Sequence, residues 1–261
     1  MDCSSKYFLV ILWNKLFTFE IIMNIALIGY GKMGHAIEQI AINRRHNIIL
    51  RITTANKHEL DEAHLKLADV AIEFTAPATA KENVLCCLSA GIDVISGTTG
   101  WNDQLPEAES MALQCDRAFM HASNFSIGVN IFFEINKLLA SLMSGRSEYN
   151  VLIEETHHTQ KKDAPSGTAI TLAEQIIQNI DAKTRWALND FNDSEAVPVI
   201  AHRLENVPGT HSVTYSGAVD DIEIKHTAHN RDGFALGAVL AAEYINGRKG
   251  IFSMKDVLFN K

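Results

Sequence analysis

Two histidines, two lysines and a Pro-Ser-Gly-Thr helix start crowd into one stretch, Glu154-Glu155-Thr156-His157-His158-Thr159-Gln160-Lys161-Lys162-Asp163-Ala164-Pro165-Ser166-Gly167-Thr168. Imidazole carries protons near neutral pH, so His157, four residues before Lys161, makes a proton-handling pair with it. Lys161 can serve as an acid or hold a carboxylate. Ala164 to Thr168 reads as a helix start whose free N–H groups at Gly167 and Thr168 suit a carboxylate. Ser166 or Thr168 would cap the same helix, and capping and anion binding are compatible. Successive strand side chains point to opposite faces, so His157 and His158 are expected to do different jobs. Zinc would use both histidines, but no third ligand stands at convincing local spacing, and no metal is expected. Glu154 and Glu155 receive no role from the sequence.

A second candidate site lies near the start. Gly29-Tyr30-Gly31-Lys32-Met33-Gly34 is a GxGxxG placed between a strand and a helix, the context that makes this pattern a dinucleotide fingerprint. Gly29 permits the tight turn, Gly31 lets the backbone approach a pyrophosphate, and Gly34 allows close helix–strand packing. Phe74-Thr75-Ala76-Pro77 and Gly97-Thr98-Thr99-Gly100 would sit at the carboxyl ends of strands, where such sheets bind ligands. Ala122-Ser123-Asn124-Phe125 follows the next strand and is placed to close over a nicotinamide. The second strand ends without the acid that would bind the ribose of NAD. Arg51, Lys57 and Lys32 are nearby cations for a 2′-phosphate, which tilts the expected cofactor toward NADPH, with NADH the alternative.

These sites need a scaffold. Asn24–28 and 47–52 read as strands flanking a helix over 32–43, which has apolar residues at helical spacing. Strands at 69–74, 92–96 and 117–121 alternate with helices at 77–90 and 103–114. This order predicts a Rossmann-type parallel sheet covered on both faces. The second half differs. A long apolar helix over 127–143 and a strand over 149–155 precede a helix over 166–180. Residues 181–196 look like a polar loop. Short alternating segments at 197–204, 211–216 and 223–228, with Pro208-Gly209 as a turn, predict a mixed or antiparallel sheet. A helix over 234–246 closes the pattern. The fold class is therefore α/β, with a parallel-sheet domain and a second α+β domain.

Composition sets outer limits. The 261 residues are 47% hydrophobic and 21% charged, an ordinary globular make-up with length enough for one large or two moderate domains. A net charge of −8 argues against general nucleic-acid affinity. Cys3, Cys86, Cys87 and Cys115 show neither a CxxC pair nor metal-ligand spacing, and read as thiols in a reducing cytoplasm. The apolar run from Tyr7 to Trp13 is too short to span a membrane. It follows Lys6 as a signal peptide would, yet no small-residue cleavage site follows it. Residues 1–22 are expected to be an upstream extension outside the fold, with Met23 the natural start.

The glycine loop, Gly97-Thr98-Thr99-Gly100, Ala122-Ser123-Asn124-Phe125-Ser126-Ile127-Gly128-Val129-Asn130 and the block from Glu154 to Thr168 occur in that order. Together they resemble the 4-hydroxy-tetrahydrodipicolinate (dihydrodipicolinate) reductase family over about Met23 to Phe259. The His-His-x-x-Lys to Pro-Ser-Gly-Thr block is the specific part. The resemblance implies NAD(P)H-dependent reduction of 4-hydroxy-tetrahydrodipicolinate, a cyclic dicarboxylate, with loss of water, in lysine and diaminopimelate synthesis. It implies His157 and Lys161 as proton handlers and His158, Gly167 and Thr168 as substrate ligands. The cofactor would lie on Gly29, Tyr30, Gly31, Lys32, Met33, Gly34, Phe74, Thr75, Gly97, Thr98, Thr99, Ala122, Ser123, Asn124 and Phe125.

It further implies a discontinuous dinucleotide-binding domain, 23–125 plus 232–261, a substrate-binding and oligomerisation domain over 126–231, and a homotetramer. The chain departs from the family pattern in a shorter glycine loop and in Thr53 to Asn56, where many members carry an acid. A dinucleotide-binding sensor without turnover would be expected to lack His157 and Lys161. A reductase of another imino or oxo dicarboxylate shares every feature named here.

Overall fold

The computed structural model describes residues 22–260, so the expectation about the N-terminal extension lies, Ile22 apart, outside the described residues. The first sheet is built from β1 (Asn24–Ile28), β2 (Asn47–Ile52), β3 (Val70–Glu73), β4 (Asp93–Ser96) and β5 (Ala118–His121), all parallel in the order β2-β1-β3-β4-β5. Strands β1, β3, β4 and β5 are largely buried on both faces, which is why they read as short apolar runs, while the edge strand β2 leaves Ile49 and Arg51 exposed. Ile25, Leu27, Ile72, Ile95 and Met120 face helix α1 (Lys32–Asn43) in one core. The alternate residues Ala26, Ile28, Ala71, Val94 and Phe119 face α3 (Pro77–Ser89) and α4 (Leu105–Gln114) in another. A four-residue helix, α2 (Glu62–Leu65), fills the link from β2 to β3. Strand β1 lies between β2 and β3, so connections leave it in both directions and open a crevice at the carboxyl ends.

The second sheet comprises β6 (Asn150–His157), β7 (Arg185–Leu188), β8 (Ala196–Arg203), β9 (Gly209–Ser216) and β10 (Asp221–Ala228) in the order β10-β9-β6-β8-β7. It is mixed: β6, β7 and β8 run parallel, and β9 pairs antiparallel with both β6 and β10. Helices α5 (Ile127–Met143) and α6 (Gly167–Ile177) cover one face, packing Phe132, Phe133, Leu172 and Ile176 on Val151, Ile153, Val199 and Val213. The chain then returns. Helix α7 (Asp232–Ile245) buries Ala235, Ala238, Val239 and Ala242 in the core of the first sheet, β11 (Gly250–Phe252) pairs with β5, and α8 (Met254–Phe259) follows.

Three local expectations change. Residues 181–196 are not all loop, because Arg185–Leu188 forms the edge strand β7. Four residues amid polar neighbours carry little periodic signal. The hydrogen bonds come from β8, and Arg185 is tied to Asp193 and Glu195 while Lys183 Nζ donates to Ser194 O and Ala196 O at 2.8 and 3.0 Å. Gly209, expected in a turn, opens β9. Strand β6 runs on to His157, so that residue stands on the sheet rather than after it. Among the described residues no helix is long and apolar enough to cross a membrane.

Candidate active site between the two sheets

The glycine loop turns where β1 meets α1. Gly29 has φ of +98°, and a Cβ there would lie 2.0 Å from the Phe74 carbonyl oxygen, so only glycine fits. A Cβ on Gly31 would meet nothing within 4 Å, so the backbone over the helix start is open to a ligand. No side chain caps α1, which leaves its first N–H groups free for a pyrophosphate. Beside it is a pocket of about 420 Å³ lined by Gly29, Tyr30, Gly31, Thr53, Thr54, Lys57, Phe74 and Thr75. These residues fit the adenosine half of a nicotinamide dinucleotide. The residues at 97–99 and 122–125 continue along the carboxyl ends of β4 and β5.

Some expected cofactor residues act from beneath. The buried Glu73 carboxylate accepts from Thr75 N at 3.0 Å, Ser96 Oγ at 2.5 Å and Thr98 Oγ1 at 2.9 Å, so the Thr98 hydroxyl points inward. A Cβ on Gly97 would lie 2.2 Å from the Phe74 ring, and Phe125 is buried with its ring 5.8 Å from Phe74. Gly34 packs under the turn, where a Cβ would lie 2.5 Å from Gly29 O, and Ala122 packs against the same core. Arg51 is not free for a phosphate: its Nε donates to Glu38 at 2.9 Å, and Tyr30 hydrogen-bonds the same carboxylate. Lys57 faces the adenosine pocket, whereas Lys32 lines a neighbouring cavity with His158.

The larger cavity, about 870 Å³, lies between the sheets. Met33, Thr99, Ser123 and Asn124 line it from the first sheet's side. His157, His158, Lys161, Gly167 and Thr168 line it from the second's. Asn124 Nδ2 reaches Thr168 Oγ1 at 3.4 Å across the join. Helix α6 starts at Gly167, and Ser166 caps it by accepting from Ala169 N, so the Gly167 and Thr168 N–H groups face the cavity unclaimed by the cap. Lys161 Nζ rests 2.8 Å from Asp163.

Behind this lining sits a network that local sequence spacing does not show. Glu155, fully buried, accepts from Ser166 N at 3.1 Å and lies 3.5 Å from Arg203 and 3.6 Å from both His157 Nδ1 and His211 Nε2. Burial alone would push this carboxyl up, but His211, the Ser166 hydroxyl and amide, and His157 hold it down to about 2. Burial, with His211 next, lowers His157 to about 4 against the opposing pull of Glu155, so its ring is neutral at neutral pH. Donor atoms of Glu155, His157 and His211 lie within 4.8 Å of one another, but the set leaves out His158, and Ser166 N and Arg203 already meet the carboxylate, so the cluster is a hydrogen-bonded charge network rather than a metal centre. The one sequence signal for Glu155 was its place two residues before His157, which puts both on the same strand face. His211 and Arg203 carried none.

A glycine-loop sheet that opens onto a cavity lined by histidine, lysine and a bare helix start defines a nicotinamide-dinucleotide-dependent oxidoreductase. The chain belongs to the dihydrodipicolinate reductase family: that family's N-terminal model matches residues 23–125 and its C-terminal model residues 128–258. It is 51% identical over 237 residues to the 4-hydroxy-tetrahydrodipicolinate reductase of Christiangramia forsetii, covering 90% of this chain and 98% of that one. It is 42% identical to the enzyme so named from Methanococcoides burtonii, covering 73% of each chain. Among solved structures, dipicolinate-bound dihydrodipicolinate reductase from Paenisporosarcina sp. TG-14 shares the fold, with a TM-score of 0.71 at 20% identity over 89% of this chain and 98% of that one.

Proposed function

We propose that this protein reduces 4-hydroxy-tetrahydrodipicolinate to tetrahydrodipicolinate with loss of water, in lysine and diaminopimelate biosynthesis. The observation that carries the reading is one cavity lined by His157, His158, Lys161 and the Gly167-Thr168 helix start on one side and by Met33, Thr99 and Ser123 on the other. NADPH or NADH, bound along the glycine loop, supplies the hydride. The free N–H groups of Gly167 and Thr168 and the His158 ring hold substrate carboxylate. Lys161 leaves Asp163 and delivers a proton from Nζ to the anion that hydride addition creates. His157, neutral before substrate arrives, accepts or returns a proton at Nε2, and the substrate's negative charge favours its protonated form.

NADPH is the preferred cofactor in this reading, with NADH also used. Support comes from Lys57 in the adenosine pocket and from the lack of an acid between Thr53 and Asn56. Residues 23–125 and 232–261 serve as the dinucleotide-binding domain, and 126–231 as the substrate-binding and oligomerisation domain. The face of the second sheet opposite α5 and α6 carries Leu152, Glu154, Ile200 and Thr214, on which a homotetramer would assemble, a state light scattering reads directly. A cytoplasmic location suits the free thiols of Cys86, Cys87 and Cys115. The test of function is oxidation of NADPH or NADH by the protein with freshly generated 4-hydroxy-tetrahydrodipicolinate. Rapid oxidation that needs this substrate is expected. No oxidation above the substrate-free rate would refute the reading.

A further inference from the structure

Glu155 has no place in the reaction just described, yet it is a fully buried carboxylate with partners on three strands and a helix start. It sits on β6 at 0% exposure, on the same strand face as His157. The sheet register brings its partners to it: Glu155 pairs with His211 on β9, and His157 pairs with Arg203 on β8. Three neighbouring strands thus place a carboxylate, two imidazoles and a guanidinium together.

Each connection leads to a group used in the cavity. Arg203, 3.5 Å from Glu155 Oε1, donates to Asp163 O at 2.6 Å and to Lys161 O at 3.4 Å, so it fastens the loop that carries Lys161. Ser166 N donates to both Glu155 oxygens at 3.1 Å, fixing the residue that caps α6. His211 Nε2 is 3.1 Å from Ser166 Oγ, and its ring meets that of His157 edge-on with centroids 5.0 Å apart. His157 Nδ1 is buried and without a hydrogen bond, and Glu155 Oε2 lies 3.6 Å from it. That gap exceeds a formed hydrogen bond, but a carboxylate facing Nδ1 across it favours the proton on that nitrogen, and a small ring rotation closes it. The other ring nitrogen, Nε2, lies beside Gly209, where a Cβ would come within 3.2 Å; glycine keeps that approach open.

We propose that Glu155 and His211 are a positioning pair: the Glu155 carboxylate takes the Nδ1–H of His157, turns Nε2 toward the cavity and supports the imidazolium when His157 is protonated, while His211 holds Ser166 and with it the Gly167-Thr168 carboxylate grip. A carboxylate behind a histidine fixes its tautomer and orientation, as a third group does in other proton-transfer sites. The titratable and charged groups facing His157 are Glu155 on β6, His211 on β9, Arg203 on β8 and Lys161 on the following loop. Among them only Glu155 is a carboxylate, so it alone can accept the Nδ1–H and offset the Arg203 and Lys161 charges when His157 takes a proton. The role in turnover rests on the reductase reading, but the tautomer does not.

The test is therefore two-part. ¹⁵N NMR of the full-length wild-type protein at neutral pH, without substrate, should show His157 as the Nδ1–H tautomer. Glu155→Gln should move it to Nε2–H, lower kcat at least tenfold, and leave KM for reduced cofactor within about twofold. His211→Ala should raise KM for the dicarboxylate several-fold and leave the tautomer in place. An Nε2–H tautomer in the wild-type protein overturns the proposal even if no variant folds, and so does a Glu155→Gln protein with wild-type kcat. Failure of the wild-type protein to turn over 4-hydroxy-tetrahydrodipicolinate would remove the reductase reading and leave the tautomer result standing.

Discussion

Two helix starts in this chain leave N–H groups open to a cavity, and they are built differently. At α1 the cradle is backbone: Gly29, Gly31 and uncapped N–H groups, with the Glu38 carboxylate on the same helix already engaged by Arg51 and Tyr30. At α6 the start is capped by Ser166 and held from behind by buried Glu155, His211 and Arg203, with His157 and Lys161 in front. In the proposed reading the first arrangement binds a phosphate without reacting, and the second places movable protons beside the anion it holds. Binding, in that reading, is carried by backbone geometry and chemistry by a charged network that this chain places on three strands.

That division can be broken at either end. The largest effect is expected from Lys161→Ala, which should lower kcat by about 10²-fold or more while KM for NADPH stays near wild type. Steady-state kinetics would show it, and an unchanged kcat would remove Lys161 as proton donor. Gly31→Val acts at the other start. Its side chain would enter space now open over the α1 N–H groups, so KM for NADPH should rise by roughly tenfold or more with little change in substrate binding. Lys57→Ala should lower kcat/KM for NADPH several-fold and leave NADH nearly untouched. Equal losses with both cofactors would show that Lys57 does not read the 2′-phosphate.

The smallest effect is on stability. His157 titrates near 6.5 when unfolded and at about 4 when folded, so the unfolded chain binds the extra proton between those values. Stability present above the unfolded pKa is therefore lost as pH falls from about 6.5 toward 4. Glu155 follows the same sign lower down, between its ordinary 4.5 and about 2. His157→Gln should lose less Tm than wild type between pH 7 and pH 5, by roughly 2–4 °C for each kcal/mol involved. An identical pH slope in calorimetry would show that His157 is not buried as a neutral ring.

The same contrast explains what the sequence revealed. Strand β1, the glycine loop and α1 are contiguous, and their apolar periods and glycine spacing stand within about twenty residues. His157, Lys161 and the α6 start are also local, because one strand and one loop carry them. Arg203 and His211 join Glu155 only through the pairing of β6 with β8 and β9, a register that no local spacing encodes. Arg51 shows the converse: it looks like a phosphate ligand until α1 brings Glu38 against it. The edge strands β7 and β11, four and three residues long, are too short to display a period and exist because β8 and β5 offer unpaired backbone.

The most direct test of the division between binding and chemistry is single-turnover reduction by His157→Gln with NADPH already bound. NADPH should bind with wild-type affinity, and its oxidation on mixing with 4-hydroxy-tetrahydrodipicolinate should slow by about 10²-fold. Wild-type oxidation rates, or loss of NADPH binding with no separate loss of rate, would contradict it.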